Sequence, residues 1–374
     1  MLNTIPGGPD EITTTWLTEA LRAAGAIDTS VIERVTTEVI GADRGFTGVV
    51  ARVEPGYDRP EPSAPATLIV KFPIAPRSAS SYRDEQQPSP EQRQRYWERC
   101  IREVHFYRDV APRVAMAPRA YAAHADVGTN RMVLLLEDLS ASEPGDALLG
   151  CTISQAALAV DAMATFHAAW WQHAALAHLA WLPRWPSDPA TSAARYDGQV
   201  ESVSDRYGER IPATVHELMR QLVGQYESVL NALSQRPVTM IHGDFHLDNL
   251  VFSRPGEPPA VTVIDWQSVA RGPAVVDLSL FMVGSLSAAD RRASEFDLLS
   301  RYHQLLVEHG VREYSFDDLQ ADYRLALLWQ LAGTVGWLAR IEPRTLDGRE
   351  LALVEAIFTS GKVFQAVEDH SDER

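Results

Sequence analysis

The chain has 374 residues, 45% of them hydrophobic and 22% charged, and its 50 acidic against 34 basic side chains give a formal net charge of −16. This is the balance of a soluble globular protein large enough for two domains or one large one. An acidic surface repels nucleic-acid phosphates and anionic lipid, so neither nucleic acid nor membrane is an expected partner. Two cysteines, Cys100 and Cys151, exclude a disulfide framework and a cysteine-rich zinc site.

In chain order, residues 11–24 place Ile12, Trp16, Leu17, Ala20 and Leu21 on one helical face, and Gly25 stops the helix. The β-branched run 31–40 predicts a strand, 41–48 a glycine-bearing turn, and 49–53 a returning strand. Residues 55–65 read as a loop rich in proline and serine, and 67–72 as a compact apolar strand carrying Lys71 near its end. Residues 76–95 are a polar, proline-bearing connection, followed by a helix over 96–110 and a short apolar strand over 132–136. Beyond residue 140 the pattern turns helical, as in 154–171 and 213–233, except for the short strands 238–241 and 261–264. The longest apolar stretch, 325–339, is interrupted by Gln330 and Thr334 and is too short to span a bilayer, so a buried helix is expected. No basic segment followed by an apolar one opens the chain, and a cytoplasmic location is the expectation. A small strand-rich part and a larger helical part joined by a short strand imply a cleft, a common place for a ligand.

The most informative segment is Ile241-His242-Gly243-Asp244-Phe245-His246-Leu247-Asp248-Asn249-Leu250, followed by Val263-Ile264-Asp265-Trp266-Gln267. An Asp five positions before an Asn, with a second Asp ending an apolar run, suits phosphoryl transfer. That chemistry needs a carboxylate at the attacking hydroxyl and oxygen ligands for magnesium on the nucleotide phosphates. Asp244, on a turn after a strand, is the candidate catalytic carboxylate; capping of the turn is its plain alternative. Asn249 and Asp265 each offer a hard oxygen to Mg2+. His242 and His246 stand four apart, but Phe245 occupies the position of the glutamate in the zinc motif His-Glu-x-x-His and Gly243 argues against a helix. They read as braces of the loop, with a zinc-dependent hydrolase as a minor alternative.

Lys71 closes a buried-looking strand, a costly place for an ammonium without partners. It either pairs with nucleotide phosphates and Glu103 on the following helix, or it snorkels to solvent. Glu103 in turn could be a solvated helix residue with local arginine partners. The turn holding Gly45, Phe46 and Thr47 could cover phosphates with its amides, although it lacks the Gly-Lys-Ser/Thr ending of a P-loop and could be a simple hairpin. Asp277 is either a carboxylate at a helix start or a brace that accepts backbone hydrogen bonds from the catalytic loop. His167 and Trp170-Trp171 read as core residues outside the site.

With these residues in hand, the chain resembles the aminoglycoside phosphotransferase and choline-kinase-like superfamily, most strongly its bacterial and ecdysteroid-kinase-like branches. The family signature His-Gly-Asp-x-His-x-x-Asn is carried by His242, Gly243, Asp244, His246 and Asn249. Ile264-Asp265-Trp266-Gln267 stands at the family's second metal Asp, and Gly272-Pro-Ala-Val-Val-Asp277-Leu resembles its following loop and helix. The resemblance implies an α+β, protein-kinase-like bilobal fold. Its small β-rich N-terminal nucleotide-binding lobe would cover 1–138, and its larger, mainly helical catalytic and acceptor-binding lobe 139–374. It implies ATP or GTP at a hinge near Glu137 and Leu139, and two magnesium sites. By likeness Asp244 is the catalytic Asp, Asn249 and Asp265 are metal ligands, and Lys71 with Glu103 positions the phosphates. Protein kinases carry a long activation segment ending in Ala-Pro-Glu after the metal Asp. Here Asp277 follows Asp265 by only twelve positions and no Ala-Pro-Glu follows, so the acceptor is expected to be a small-molecule hydroxyl. The resulting expectation is an O-phosphotransferase acting on an aminoglycoside- or nucleoside-type antibiotic or a polar metabolite. A nucleotide-binding regulator of the same fold without catalysis is the alternative.

Overall fold

The computed structural model describes residues 5–40, 48–73, 89–341, 348–359 and 362–370. The chain divides into two compact units, one formed by Met1–Glu143 with Thr262–Ser268 and the other by Pro144–Val261 with Val269–Arg374.

The first unit contains α1 (Thr14–Ala23), β1 (Ile32–Ile40), β2 (Gly48–Tyr57), β3 (Leu68–Pro73), α2 (Pro90–Asp109), β4 (Ala120–Asp126) and β5 (Arg131–Glu137). The strands form one antiparallel sheet in the order β1-β2-β3-β5-β4. Thr13 caps α1 by accepting a hydrogen bond from the Trp16 amide. The apolar face of α1, Trp16, Leu17, Ala20 and Leu21, packs with Val53, Leu68, Val70, Val133 and Leu135 in one core. Burying each of the larger side chains contributes about 1.5–3 kcal/mol. Strand alternation then decides where Lys71 goes. Leu68, Val70 and Phe72 are buried toward this core, so Lys71 faces the other side of the sheet.

Three elements depart from the sequence reading. Strand β2 continues through Pro55 and Gly56, which were assigned to a loop. Past Val53 the strand is no longer flanked by β3 and pairs with β1 alone, so it is locally an edge, where proline is tolerated. Helix α2 begins at Pro90, ahead of the predicted 96, because Ser89 and Gln92 form a reciprocal capping box with Pro90 in the first turn. Strand β4 was not foreseen, since its alanine-rich sequence carries little β signal; it is an edge strand paired with β5 only.

The second unit is dominated by helices. Its elements are β6 (Glu143–Pro144), which begins at the first crossing between units, α3 (Ile153–Trp170), α4 (Pro189–Tyr207), α5 (Ala213–Leu222), α6 (Tyr226–Ser234), β7 (Val238–Ile241) and β8 (Leu250–Phe252). After β9 (Val261–Val263), at the second crossing, come β10 (Ala270–Pro273), α7 (Val275–Ser285), α8 (Ala288–Glu308), α9 (Phe316–Arg340), α10 (Gly348–Thr359) and α11 (Lys362–Asp369). The single helix predicted over 213–233 is two, α5 and α6, broken at Gly224, whose φ of +71° is a left-handed conformation that glycine adopts without strain. The apolar stretch 325–339 lies within α9 and contributes Ala326, Leu327, Gln330, Leu331, Ala332, Val335 and Leu338 to its buried face, and among the described residues no helix is long and apolar enough to cross a membrane. Strand β7 is buried and pairs antiparallel with β10; the Thr239 hydroxyl donates to the His167 carbonyl at 2.6 Å and the Gln172 amide to the Val238 carbonyl at 2.8 Å. The segment after Ile241 therefore leaves a strand held on two sides.

A buried ion network joins α8, α9 and α11. The Glu295 carboxylate accepts from the Tyr323 hydroxyl at 2.6 Å, pairs with Arg291 at 2.9 Å and lies 2.9 Å from His370 Nε2, while Arg291 also binds Asp369. Burial works against the carboxylate charge, but His370, Arg291 and Tyr323 outweigh it and hold Glu295 at about 2, below its ordinary 4.5. A depressed carboxylate stabilises the fold above its unfolded value and loses that contribution as pH falls toward the folded value. The shift corresponds to about 3 kcal/mol. Glu295→Gln is expected to lower stability at pH 7, and the gap to wild type in denaturant melts should close between about pH 5 and pH 2. A gap that stays constant over that window would remove Glu295 from this role.

Candidate active site

In the first unit, three residues far apart in sequence meet at one ammonium. Lys71 Nζ lies 2.7 Å from Glu103 Oε2 and 2.7 Å from Asp265 Oδ1. Glu103 is 2% exposed and Lys71 14%, so this is a nearly desolvated cation between two carboxylates. Burial alone would lower the lysine, yet Glu103 and Asp265 more than reverse it and hold it charged, above its ordinary value. Burial, reinforced by Asp265, pushes Glu103 up, with Lys71 opposing. Of the two readings of Lys71, snorkelling to solvent does not describe this geometry.

Asp265 has φ +63°, a left-handed conformation uncommon for a residue with a side chain. Its surroundings hold it there. The Gln267 amide donates to Asp265 Oδ2 at 2.8 Å, and the Trp266 indole N–H closes the turn onto the Val263 carbonyl at 2.7 Å. Helix α2 grips the same segment. Phe106 stacks on Trp266 with centroids 3.9 Å apart, Arg102 donates to the Gln267 carbonyl at 3.3 Å, and Arg99 donates to the Ser268 hydroxyl at 2.9 Å. Helix α2 thus holds Lys71 through Glu103 and the Asp265 turn through three further contacts.

Of the expected hinge residues, Glu137 ends β5 opposite Leu68 and its amide donates to the Arg119 carbonyl at 2.9 Å. The Leu139 carbonyl accepts from the Ser142 amide at 2.9 Å. Asp138 between them was given no role of its own; its side chain is 3% exposed and binds Arg52 Nε at 2.9 Å and the Ser140 amide at 2.8 Å. The candidates Gly45, Phe46 and Thr47 lie outside the described residues.

In the second unit, Asp244 follows β7 on a turn opened by Gly243 at φ +78°, with its side chain 36% exposed. Its carbonyl accepts from the Asn249 amide at 2.9 Å and from the His246 backbone N–H at 3.0 Å, so the loop closes on itself within five residues. Both contacts of the Asn249 side chain use its nitrogen, the second to His246 Nε2 at 3.2 Å. The amide oxygen, the atom a hard cation takes, is left outside this pair. His246 Nε2 also lies 3.4 Å from Asp244 Oδ1. An unprotonated Nε2 would serve Asn249 and a protonated one Asp244, so its tautomer selects one of the two contacts. His242 is fully buried, accepts from the Asp244 amide at Nδ1 (3.3 Å), and packs edge-on against Phe245.

Beneath the loop, Asp277 in the first turn of α7 is fully buried. Its Oδ2 accepts from the His242 amide at 2.6 Å and its Oδ1 from the Gly243 amide at 2.8 Å. His167 Nε2 lies 3.2 Å from Oδ2, and His167 Nδ1 lies 2.7 Å from the Tyr302 hydroxyl. A carboxylate can only accept, so Nε2 carries the proton toward Asp277. The sequence reading set His167 aside as a core residue. It is in the core, fully buried, but it is bonded to the carboxylate that holds the loop. A histidine on an otherwise apolar helix face was the available signal. Gly145 was missed as well. Its amide donates to the Leu250 carbonyl at 2.8 Å, and a Cβ there would stand 2.3 Å from the Leu247 carbonyl oxygen, so only glycine lets the backbone lie this close to the loop.

Among the described residues, no group of three or more His, Cys, Asp or Glu is arranged to hold a metal ion. A zinc site on His242 and His246 finds no third ligand there. Asn249 and Asp265 each carry a hard oxygen, the donor type magnesium takes, which binds through one or two carboxylates together with substrate phosphates and keeps several waters.

The sequence matches the model of the ecdysteroid kinase-like family over residues 43–312. A choline kinase from Cryptosporidium parvum Iowa II has the same fold, with 11% identity, 96% of each chain covered and a TM-score of 0.54. So does a candidate aminoglycoside phosphotransferase from Ralstonia eutropha JMP134, with 17% identity, 94% of this chain and 98% of that one covered and a TM-score of 0.52. An amicoumacin kinase, solved with AMP-PNP, Ca2+ and its antibiotic, aligns over 94% and 93% of the two chains at 12% identity and a TM-score of 0.50. At these identities the likenesses establish the kinase-like α+β fold. No curated protein matches the sequence.

Proposed function

This chain belongs to the ecdysteroid kinase-like family, and we propose that it moves the γ-phosphoryl group of ATP or GTP to a hydroxyl of a small molecule, either an aminoglycoside- or nucleoside-type antibiotic or a polar metabolite. The observation that carries this reading is the ammonium of Lys71 held 2.7 Å from both Glu103 and Asp265. A buried lysine fixed by a helix carboxylate is the device that positions nucleotide phosphates in kinases.

In this reading Asp244 accepts the proton of the acceptor hydroxyl as its oxygen forms the new bond to the γ-phosphorus. The bond from that phosphorus to the bridging oxygen breaks, and ADP or GDP departs. Lys71 orients the phosphates, and Glu103 keeps Lys71 in place and charged. The Asn249 side-chain oxygen and the Asp265 carboxylate are the groups that would hold Mg2+, which neutralises phosphate charge when bound. The loose transition state asks for positioning and charge neutralisation more than covalent participation by the protein. A nucleotide-consumption screen over pooled hydroxylated metabolites and antibiotics, with ATP and GTP as donors, tests the proposal. Metal-dependent nucleotide binding with no phosphorylated product across the panel would favour a regulator instead.

Lys71→Met is expected to abolish turnover and, by leaving Glu103 buried without its cation, to cost about 3–5 kcal/mol of stability. Adding Glu103→Leu should restore much of that stability, because apolar replacement of both partners removes the orphaned charge, while turnover stays lost. Urea denaturation paired with product assays checks both halves. Equal stability of the single and double variants would show that the pair is not coupled as described.

A further inference from the structure

We infer that Gln267 is a positioning residue for the carboxylate of Asp265, setting how well that carboxylate takes a divalent cation; this rests on the metal role proposed for Asp265 above. The Gln267 side chain is buried, with 5% of the residue exposed, and its Nε2 donates to Asp265 Oδ2 at 2.8 Å while Lys71 holds Oδ1 at 2.7 Å. Each oxygen of the carboxylate is thus engaged by a donor from the chain itself. One donor per oxygen fixes the plane of a carboxylate whose own residue sits in a left-handed backbone conformation. Each oxygen has two lone pairs, so Oδ2 can keep the amide hydrogen bond and still present a lone pair to a cation.

Gln267 is itself anchored from the backbone side, since Arg102 of α2 donates to its carbonyl at 3.3 Å. Being neutral, it orients Asp265 without adding a third negative charge beside Glu103 and Asp265. Hydrogen bonds to metal-ligating carboxylates tune affinity, and their loss typically weakens binding about 10–100-fold. Gln267 carries none of the bond-making steps; it acts only through Asp265.

The test uses the full chain and two variants. Gln267→Ala removes both the volume and the donor, whereas Gln267→Met keeps the volume and removes only the donor. Nucleotide affinity is measured by calorimetry with Mn2+ titrated in, and again in EDTA. Both variants are expected to need about 10–100-fold more Mn2+ for half-maximal nucleotide binding, with metal-free affinity unchanged. A role in packing alone would leave Gln267→Met at wild type, and this outcome overturns the assignment. So does a loss of the same size in EDTA, which would mark general damage to the site. A wild-type chain that binds no nucleotide with or without metal would overturn the phosphotransferase reading together with this one. Normal wild-type binding with unaltered variants would overturn this assignment alone.

Discussion

Replacing Asp244 with alanine is expected to lower turnover about 10²–10⁴-fold, the usual contribution of a positioned proton acceptor, while nucleotide binding largely survives. The reason for the split lies in where the contacts are. The loop is closed by the Asp244 carbonyl, which receives the Asn249 amide and the His246 N–H, and by the backbone amides of His242 and Gly243 on Asp277. None of these bonds uses the Asp244 carboxylate, which lies 3.4 Å from His246 Nε2, so its removal leaves these backbone bonds in place. The triad of Lys71, Glu103 and Asp265 is also left unchanged. Single-turnover assays with the best acceptor from the screen, run beside calorimetric titration with nucleotide, separate the two quantities. Near-normal turnover in Asp244→Ala would sink the assignment.

Asp277→Ala is expected to have the largest combined effect, on stability and on turnover. It would orphan the His242 and Gly243 amides and the His167 Nε2–H, all directed at a carboxylate that is fully buried. A buried donor left without a partner costs about 1–3 kcal/mol, and three of them, after partial relaxation, should cost about 3–5 kcal/mol in all. Turnover should fall further than the unfolded fraction explains, because the two amides are the ones immediately before Asp244. Denaturant melts and kcat measured on the folded population check this. A variant that melts with the wild type would show that the carboxylate does not carry the loop.

How much of this was legible in the sequence depends on how far apart the partners lie. The turn at Asp244 was readable because glycine next to aspartate is turn chemistry, and Gly243 supplies the left-handed backbone; that the Asp244 carbonyl receives the Asn249 side chain came from the structure. That Lys71 sits on a compact apolar strand was readable from the run 67–72. What it meets was not, since Asp265 lies 194 positions further on. Glu103 could be named by its place on a helix, but nothing local distinguishes it from its solvated neighbours; folding makes it 2% exposed and binds it to the lysine. His167 was read as core and is fully buried, but its bonding was illegible for the same reason. Burial on an apolar helix face reads as core packing, and its bonds reach to Asp277, 110 positions away, and Tyr302, 135 away. Boundaries slipped where tertiary pairing overrides propensity, as at Pro55 in β2 and in the alanine-rich β4.

The sequence by itself determined the local machinery: a catalytic-type loop from His242 to Asn249, an Asp at the end of an apolar strand, and a short connection onward to Asp277 that leaves no room for a protein-kinase activation segment. Such features are set by turn chemistry, side-chain periodicity and spacing, which act over a few residues. Only the tertiary structure decided which charges neutralise each other, that Gln267 and α2 hold the Asp265 turn, and that Tyr302 and His167 stand behind Asp277. The physical reason is desolvation: once an ionic group is buried its partner matters more than its propensity, and that partner is supplied by whichever element folds against it.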